Sequence, residues 1–264
     1  MKSPKFKYLY GPIWSWRVGN SLGIDLLSQN EKSCVFNCIY CQVGNVCEYT
    51  KKRKIYVPTK DIIAEIKALP DVDIDYMTFS GRGEPTLALN LGEVIRELRK
   101  IRKEPVAVLT NSALIEKKDV REDLALADFV MCKLDGASQQ ALDSVDRPAP
   151  GIKIENIVKG IKDFRGEFKK KLALQIMLME ENKGEVGELA RLAMDIRPDE
   201  IQINTPLRPG GAKPLARDEI EDIKKNFNDI LQGKIRIVTV YDKEPSRVSP
   251  MDEEQIINRR KGEI

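Results

Sequence analysis

The sequence predicts an α/β protein: a partial, open (β/α)6 TIM-like barrel of parallel strands, with a cysteine loop after the first strand. Three observations predict it. Short apolar runs alternate along the chain with segments whose apolar residues recur at helical spacing. The apolar runs are nearly continuous, the pattern of strands buried on both faces of a parallel sheet. Six strand–helix units fit within 264 residues, fewer than the eight of a closed barrel.

The elements follow in chain order. Residues 21–27 are the first strand, and residues 59–69 a helix with Ile62, Ile63, Ile66 and Leu69 on one face. A strand at 76–79 leads to a helix at 90–102, where Leu91, Val94, Ile95 and Leu98 form the apolar stripe. Asn90 and Glu93 have the spacing of a capping box. Strands at 106–109, 129–132, 172–178 and 201–203 alternate with helices near 118–127, 154–164, 185–196 and 218–231. Ile154, Ile157, Val158 and Ile161 share one stripe, and Ile220, Ile223, Phe227 and Ile230 another. Residues 235–240 are the last strand. The expected domains are an N-terminal extension at 1–20, the barrel at 21–241 and a polar tail or appendage at 242–264. Trp14 and Trp16, in the extension, are expected to form a lid, an interface or core.

With 42% hydrophobic residues the chain supports one large core. No apolar stretch approaches the ~20 residues needed to span a bilayer, so no membrane partner is expected. A formal net charge of +3 does not demand a nucleic-acid partner. Residues 1–10 lack the apolar run of a secretory leader. Reduced, clustered cysteines imply a cytoplasmic, reducing compartment.

Three of the five cysteines fall in Cys34-Val35-Phe36-Asn37-Cys38-Ile39-Tyr40-Cys41, a C-x3-C-x2-C loop. Thiolates this close converge on a metal. Cubane iron–sulfur clusters normally take four cysteines, so three leave one iron open, and an open position separates a catalytic from a structural site. A disulfide is possible, but nothing suggests secretion. Zinc is the main alternative, with Cys47 as a fourth thiolate, although zinc loops more often use C-x2-C pairs. The chain has no histidine, which excludes mixed Cys/His zinc sites. Cys132, beside Met131, reads as a buried inert thiol.

The C-x3-C-x-aromatic-C loop resembles the signature of the radical S-adenosylmethionine (radical SAM) enzymes. The resemblance implies that Cys34, Cys38 and Cys41 hold a 4Fe-4S cluster whose free iron chelates S-adenosylmethionine. Electron transfer, from a flavodoxin- or ferredoxin-like donor, then generates a 5′-deoxyadenosyl radical. Tyr40 matches the aromatic residue that packs on the adenine. A wider likeness covers about residues 8–215. It includes Gly11-Pro12, Arg17-Val18-Gly19, residues 21–26, Tyr56-Val57-Pro58, residues 80–87, Arg147-Pro148 and residues 202–209. These resemble the group of the wyosine-base-forming tRNA enzymes and their shorter relatives. Those enzymes carry a second cluster on further N-terminal cysteines; this chain has no cysteine before Cys34, so wyosine formation is not expected.

In such a barrel the chemistry sits at the carboxyl ends of the strands. Gly81, Gly83 and Glu84, with Arg82 between the glycines, resemble the "GGE" segment that receives the amino group of S-adenosylmethionine; a Gly-Pro turn is the plain alternative. Asn111 resembles the position that meets the ribose, or else caps a helix. Lys133 can pair with the cofactor carboxylate, and Asp135 lies on the same face, although a simple ion pair would look the same. Gln175, in an apolar strand, needs a partner and is expected to point at the ligand. Asn204 is expected to meet the adenosine. Arg208 and Gly210-Gly211 suit an anionic substrate group or a solvated loop.

The substrate remains unidentified, with three classes open. Lys51-Lys52-Arg53-Lys54, Lys169-Lys170-Lys171 and Arg259-Arg260-Lys261 favour a tRNA base. A small metabolite fits the chemistry equally, and a protein substrate, including a glycyl-radical partner, comes third. The reading from another class is a non-catalytic zinc or iron–sulfur module.

Overall fold

The computed structural model describes residues 6–29, 31–45, 48–207 and 211–242. Cys47, Arg208 and residues 243–264 lie outside them. The strands are β1 (Leu9–Ser15), β2 (Gly19–Ile24), β3 (Ser33–Cys34), β4 (Glu48–Tyr49), β5 (Tyr76–Phe79), β6 (Val106–Thr110), β7 (Phe129–Lys133), β8 (Lys171–Met177), β9 (Glu200–Asn204) and β10 (Arg236–Thr239). Eight of them form one sheet in the order β1-β2-β5-β6-β7-β8-β9-β10, and β3 pairs with β4 separately. From β2 onward every neighbouring pair in the main sheet is parallel. The strand order follows the chain, so strands consecutive in the main sheet lie side by side. The sheet curls into a half-barrel, as the alternation predicts.

The helices are α1 (Thr59–Lys67), α2 (Leu91–Arg99), α3 (Lys118–Leu124), the short α4 (Gln139–Ala141), α5 (Ile154–Glu167), α6 (Val186–Ile196) and α7 (Arg217–Leu231). They cover one face of the sheet. Phe79, Ile62, Ile66, Phe164 and Phe227 are fully buried there. The opposite face carries a smaller cluster of Val18, Ala107, Phe129, Met131 and Ala173, with Tyr76 meeting Phe129 edge to face at 6.0 Å. Along β7, Phe129 and Met131 belong to the inner cluster, whereas Val130 and Cys132 belong to the outer core. This is the two-residue alternation of a strand buried on both faces. Cys132 therefore points into the outer core, where burial pushes its thiol up to about 12.

Two expectations are corrected. The stretch before residue 20 contributes β1, which pairs antiparallel with β2 as the edge strand. Its register shifts between Tyr10 and Ile13, where Gly11 and Pro12 stand. A proline is tolerated at such an edge. Trp16 is buried, with the Arg17 guanidinium 4.8 Å from its ring. Asn90 does not cap α2. Its Nδ2 donates to the Val57 carbonyl and to Thr59 Oγ1, both at 3.0 Å, so the amide ties the start of α2 to that of α1. Among the described residues no helix is long and apolar enough to cross a membrane.

Candidate active site at the carboxyl ends of the strands

The cysteine loop is held as an extended segment against residues 145–149. Asn37 N donates to the Asp146 carbonyl at 2.9 Å, Ile39 N to the Val145 carbonyl at 2.9 Å, and Ala149 N to the Val35 carbonyl at 2.8 Å. Phe36 and Pro148 form an antiparallel bridge. The partner segment leaves α4 through a wide turn in which Arg147 N reaches back to the Leu142 carbonyl at 3.1 Å. Arg147 ends that turn in the left-handed region, at φ 45°. On its other side the loop meets Gly83, which forms a parallel bridge with Ser33. A Cβ at Gly83 would lie 1.9 Å from the Ser33 carbonyl oxygen, so only glycine permits this approach.

Each of the three thiols has its own partner. Asn111 Nδ2 donates to Cys34 Sγ at 3.6 Å, Cys38 Sγ donates to Asp146 Oδ1 at 3.1 Å, and Lys32 Nζ donates to Cys41 Sγ at 3.0 Å. Burial, followed by the charge of Glu84, pushes the Cys34 thiol up to about 12. Burial and then Asp146 raise Cys38 well above the ordinary thiol range. The three sulfurs lie close enough that Cys34 feels the charge of Cys41, and Cys38 that of Cys34. Yet among the described residues no three Cys, Asp or Glu side chains are placed to hold a single metal ion. Three soft donors, near one another but spread over separate partners, fit a cubane that takes one thiolate per iron.

Around Cys38 lies a dense polar network. The Tyr40 hydroxyl donates to Asp135 Oδ2 and, at 3.2 Å, to Asp146 Oδ1. Lys133 Nζ stands 3.2 Å from Asp135 Oδ2 and 4.6 Å from the centre of the Tyr40 ring. Asp135 Oδ1 accepts from Met177 N at 2.8 Å, and Asn182 Nδ2 donates to the Asp135 carbonyl at 2.6 Å. Burial, reinforced by the Asp135 charge, raises both Tyr40 and Asp146 well above their ordinary ranges.

Glu84 is 2% exposed and its carboxylate is filled by the protein itself. Oε1 accepts from Thr86 N at 3.1 Å, Thr86 Oγ1 at 2.7 Å and Thr110 Oγ1 at 2.6 Å, and Oε2 accepts from Asn111 N at 2.7 Å. Burial raises its pKa against the pull of these donors. The carboxylate thus braces the end of β6, where the buried Ser112 adopts φ 65°, a strained conformation for a non-glycine residue. Gly81 packs against Asp25, whose carboxylate accepts from Leu27 N and Arg82 N at 3.0 and 3.2 Å.

The register aligns Lys133 with Gln175, and Gln175 with Gln202, across the lumen face. Gln175 Nε2 and Gln202 Oε1 are buried without a hydrogen-bond partner. Asn204, also buried, ends β9 opposite Met177. The structure therefore brings Cys34, Asn111 and Glu84 into one group and Cys38, Tyr40, Lys133 and Asp135 into another. Sequence reasoning passed over Lys32, Asp25, Asp146 and Asn182. Asp146 had a signal, since it directly precedes Arg147-Pro148.

Residues 32–193 match the family model of the Radical SAM superfamily. The chain belongs to this superfamily. A UPF0026 protein of Synechocystis sp. is 41% identical over 215 residues, covering 81% of this chain and 79% of the relative. The GTPase Obg of Brachyspira hyodysenteriae is 36% identical over 262 residues, covering 96% of this chain and 38% of the relative. Among solved structures, Streptococcus suis SuiB bound to S-adenosylmethionine matches with a TM-score of 0.62 at 17% identity, over 79% of this chain and 48% of SuiB. TYW1 with a lysine-pyruvate adduct bound matches with a TM-score of 0.61 at 18% identity, over 81% of this chain and 75% of TYW1. At these identities the structural matches speak to the fold, the partial barrel of the radical SAM superfamily. The chain spans about half the length of SuiB.

Proposed function

We propose that this chain is a cytoplasmic radical SAM enzyme: Cys34, Cys38 and Cys41 hold a 4Fe-4S cluster with which it cleaves S-adenosylmethionine reductively and takes a hydrogen atom from a substrate. The observation that carries the reading is the thiol triad of Cys34, Cys38 and Cys41, gathered on one loop braced against residues 145–149. Bound together, the cluster and S-adenosylmethionine supply an electron and a primary carbon radical.

The side chains of this chain bind, orient and shield. Tyr40, pinned through its hydroxyl, offers an immobilised aromatic ring at the loop. Lys133 has three N–H donors, so its ammonium can take up a carboxylate while keeping Asp135. Since the Glu84 carboxylate oxygens are engaged by protein donors, Glu84 would serve the cofactor by fixing the 81–84 segment against Asn111. Gln175 Nε2 is an unspent donor in the lumen, and Asn111, just after β6, and Asn204, at the end of β9, stand at carboxyl strand ends for the nucleoside. An unpaired buried donor costs about 1–3 kcal/mol, which a ligand acceptor recovers.

The substrate classes are a tRNA base, a small metabolite and a protein, with a flavodoxin- or ferredoxin-like electron donor. Exposed Lys51, Lys52 and Lys54, on the segment that follows β4, favour the first. Binding to tRNA that weakens steeply with salt would select it.

The test is anaerobic reconstitution with iron and sulfide. The expected result is a full 4Fe-4S complement that Cys34→Ala, Cys38→Ala or Cys41→Ala each destroys and Cys47→Ala leaves intact. Loss on Cys47→Ala, with zinc in the isolated protein, would overturn the reading.

A further inference from the structure

Lys32 sits two residues before the first cysteine and is 6% exposed. An ammonium taken out of water costs several kcal/mol unless a counter-charge and hydrogen bonds replace its hydration. Among the described residues Lys32 forms no ion pair with a carboxylate. Its Nζ makes two contacts, 3.0 Å to Cys41 Sγ and 2.8 Å to the Gly44 carbonyl. The carbonyl is neutral, which leaves sulfur as the counter-charge. The buried ammonium is thus aimed at the sulfur of a loop cysteine. Asn111 also donates to a ligand sulfur, but as a neutral amide at 3.6 Å.

We propose that Lys32 is a positioning residue that sets the reduction potential of the cluster, through a charged N–H···S hydrogen bond to the Cys41 thiolate. The inference rests on the cluster reading given above. One electron from the donor adds one negative charge to the cluster and its thiolates. A fixed cation in hydrogen-bond contact with a ligand sulfur stabilises the reduced form more than the oxidised form, most strongly where water is excluded. Lys32 thereby makes electron entry easier. Through the Gly44 carbonyl the same ammonium also closes the turn after Cys41.

The experiment compares the wild-type chain with Lys32→Met and Lys32→Arg, reconstituted anaerobically to equal iron and sulfide and left without S-adenosylmethionine. Each is poised with dithionite and mediators, and the reduced cluster is counted by electron paramagnetic resonance. Lys32→Met is expected to lower the reduced-to-oxidised ratio at the wild-type midpoint by roughly tenfold, a shift of about 59 mV to more negative potential. Lys32→Arg, which keeps the charge and the donor, restores most of it. A Lys32→Met cluster with the wild-type midpoint overturns the inference, because a purely structural lysine moves loading and not potential. If Lys32→Met does not load, Lys32→Gln, which keeps a neutral donor, decides: a midpoint below wild type supports the proposal and an unchanged one overturns it. A wild-type chain that takes up no cluster removes the underlying reading as well, and is distinguished by its iron content alone.

Discussion

The two faces of the central sheet contrast sharply in composition. Toward the helices, Val130, Cys132, Leu172, Leu174, Ile201 and Ile203 merge into one continuous apolar core. Toward the lumen, the same strands carry apolar residues at Phe129, Met131 and Ala173 and then turn polar, with Lys133, Gln175, Gln202 and Asn204 toward their carboxyl ends. A parallel sheet needs cover on both faces, and here only one is sealed by helices. The inner face can therefore hold unpaired amides and a dense carboxylate network because the outer face supplies the stability. Stability and chemistry occupy alternate residues of one strand.

The contrast breaks most visibly at the cysteine loop. Cys38→Ala is expected to abolish cluster uptake and cofactor cleavage while leaving the thermal midpoint of the apo-protein close to wild type; iron analysis and calorimetry read the two effects separately. A large loss of stability would put Cys38 in the structural class instead. Next comes the outer face. Phe164 and Phe227 are fully buried among the helices, and truncating either to Ala should cost about 3–5 kcal/mol in denaturant unfolding. The cleavage rate per loaded cluster should persist in both variants.

Gln175→Leu sharpens the comparison from the other side. It removes an unpartnered buried amide and should raise the stability of the ligand-free protein by about 1 kcal/mol while weakening S-adenosylmethionine binding. A variant that is destabilised and binds normally would show that the amide serves packing. The smallest effect is expected far from the site, at Asp128. Its burial is outweighed by donors from Val106 N, Arg99 and Lys170, which hold its pKa below the ordinary value. Such a group stabilises the fold above its unfolded pKa of about 3.9 and loses that contribution as pH falls through the lower folded value. The gap in melting temperature between wild type and Asp128→Asn should thus be present at pH 7 and close in acid, with cleavage unaffected.

Much of this architecture was legible because apolar periodicity reports burial directly. The helix stripes at Ile62 and Ile66, and at Ile220 and Phe227, are buried as the spacing requires. β1 was not legible, since Gly11-Pro12 reads as an interruption until a neighbouring strand shows it to be the bulge of an edge. The cysteine triad declared itself through spacing alone. Its partners did not, because Asp146 lies more than a hundred residues from Cys38, and nothing local foretells that a wide turn returns it to the loop. Lys32 was hidden for a different reason: a lysine near a cysteine is common, and only burial separates a fixed charge from a solvated one.

The central claim is that the open iron of a three-thiolate cluster cleaves S-adenosylmethionine. The direct measurement is to incubate the reconstituted protein anaerobically with S-adenosylmethionine and dithionite and to quantify 5′-deoxyadenosine and methionine by mass spectrometry. The account predicts both products from the wild-type chain and neither from Cys38→Ala. A chain with a full iron and sulfide complement that yields no 5′-deoxyadenosine, with or without tRNA and cell extract as a source of substrate, would contradict it.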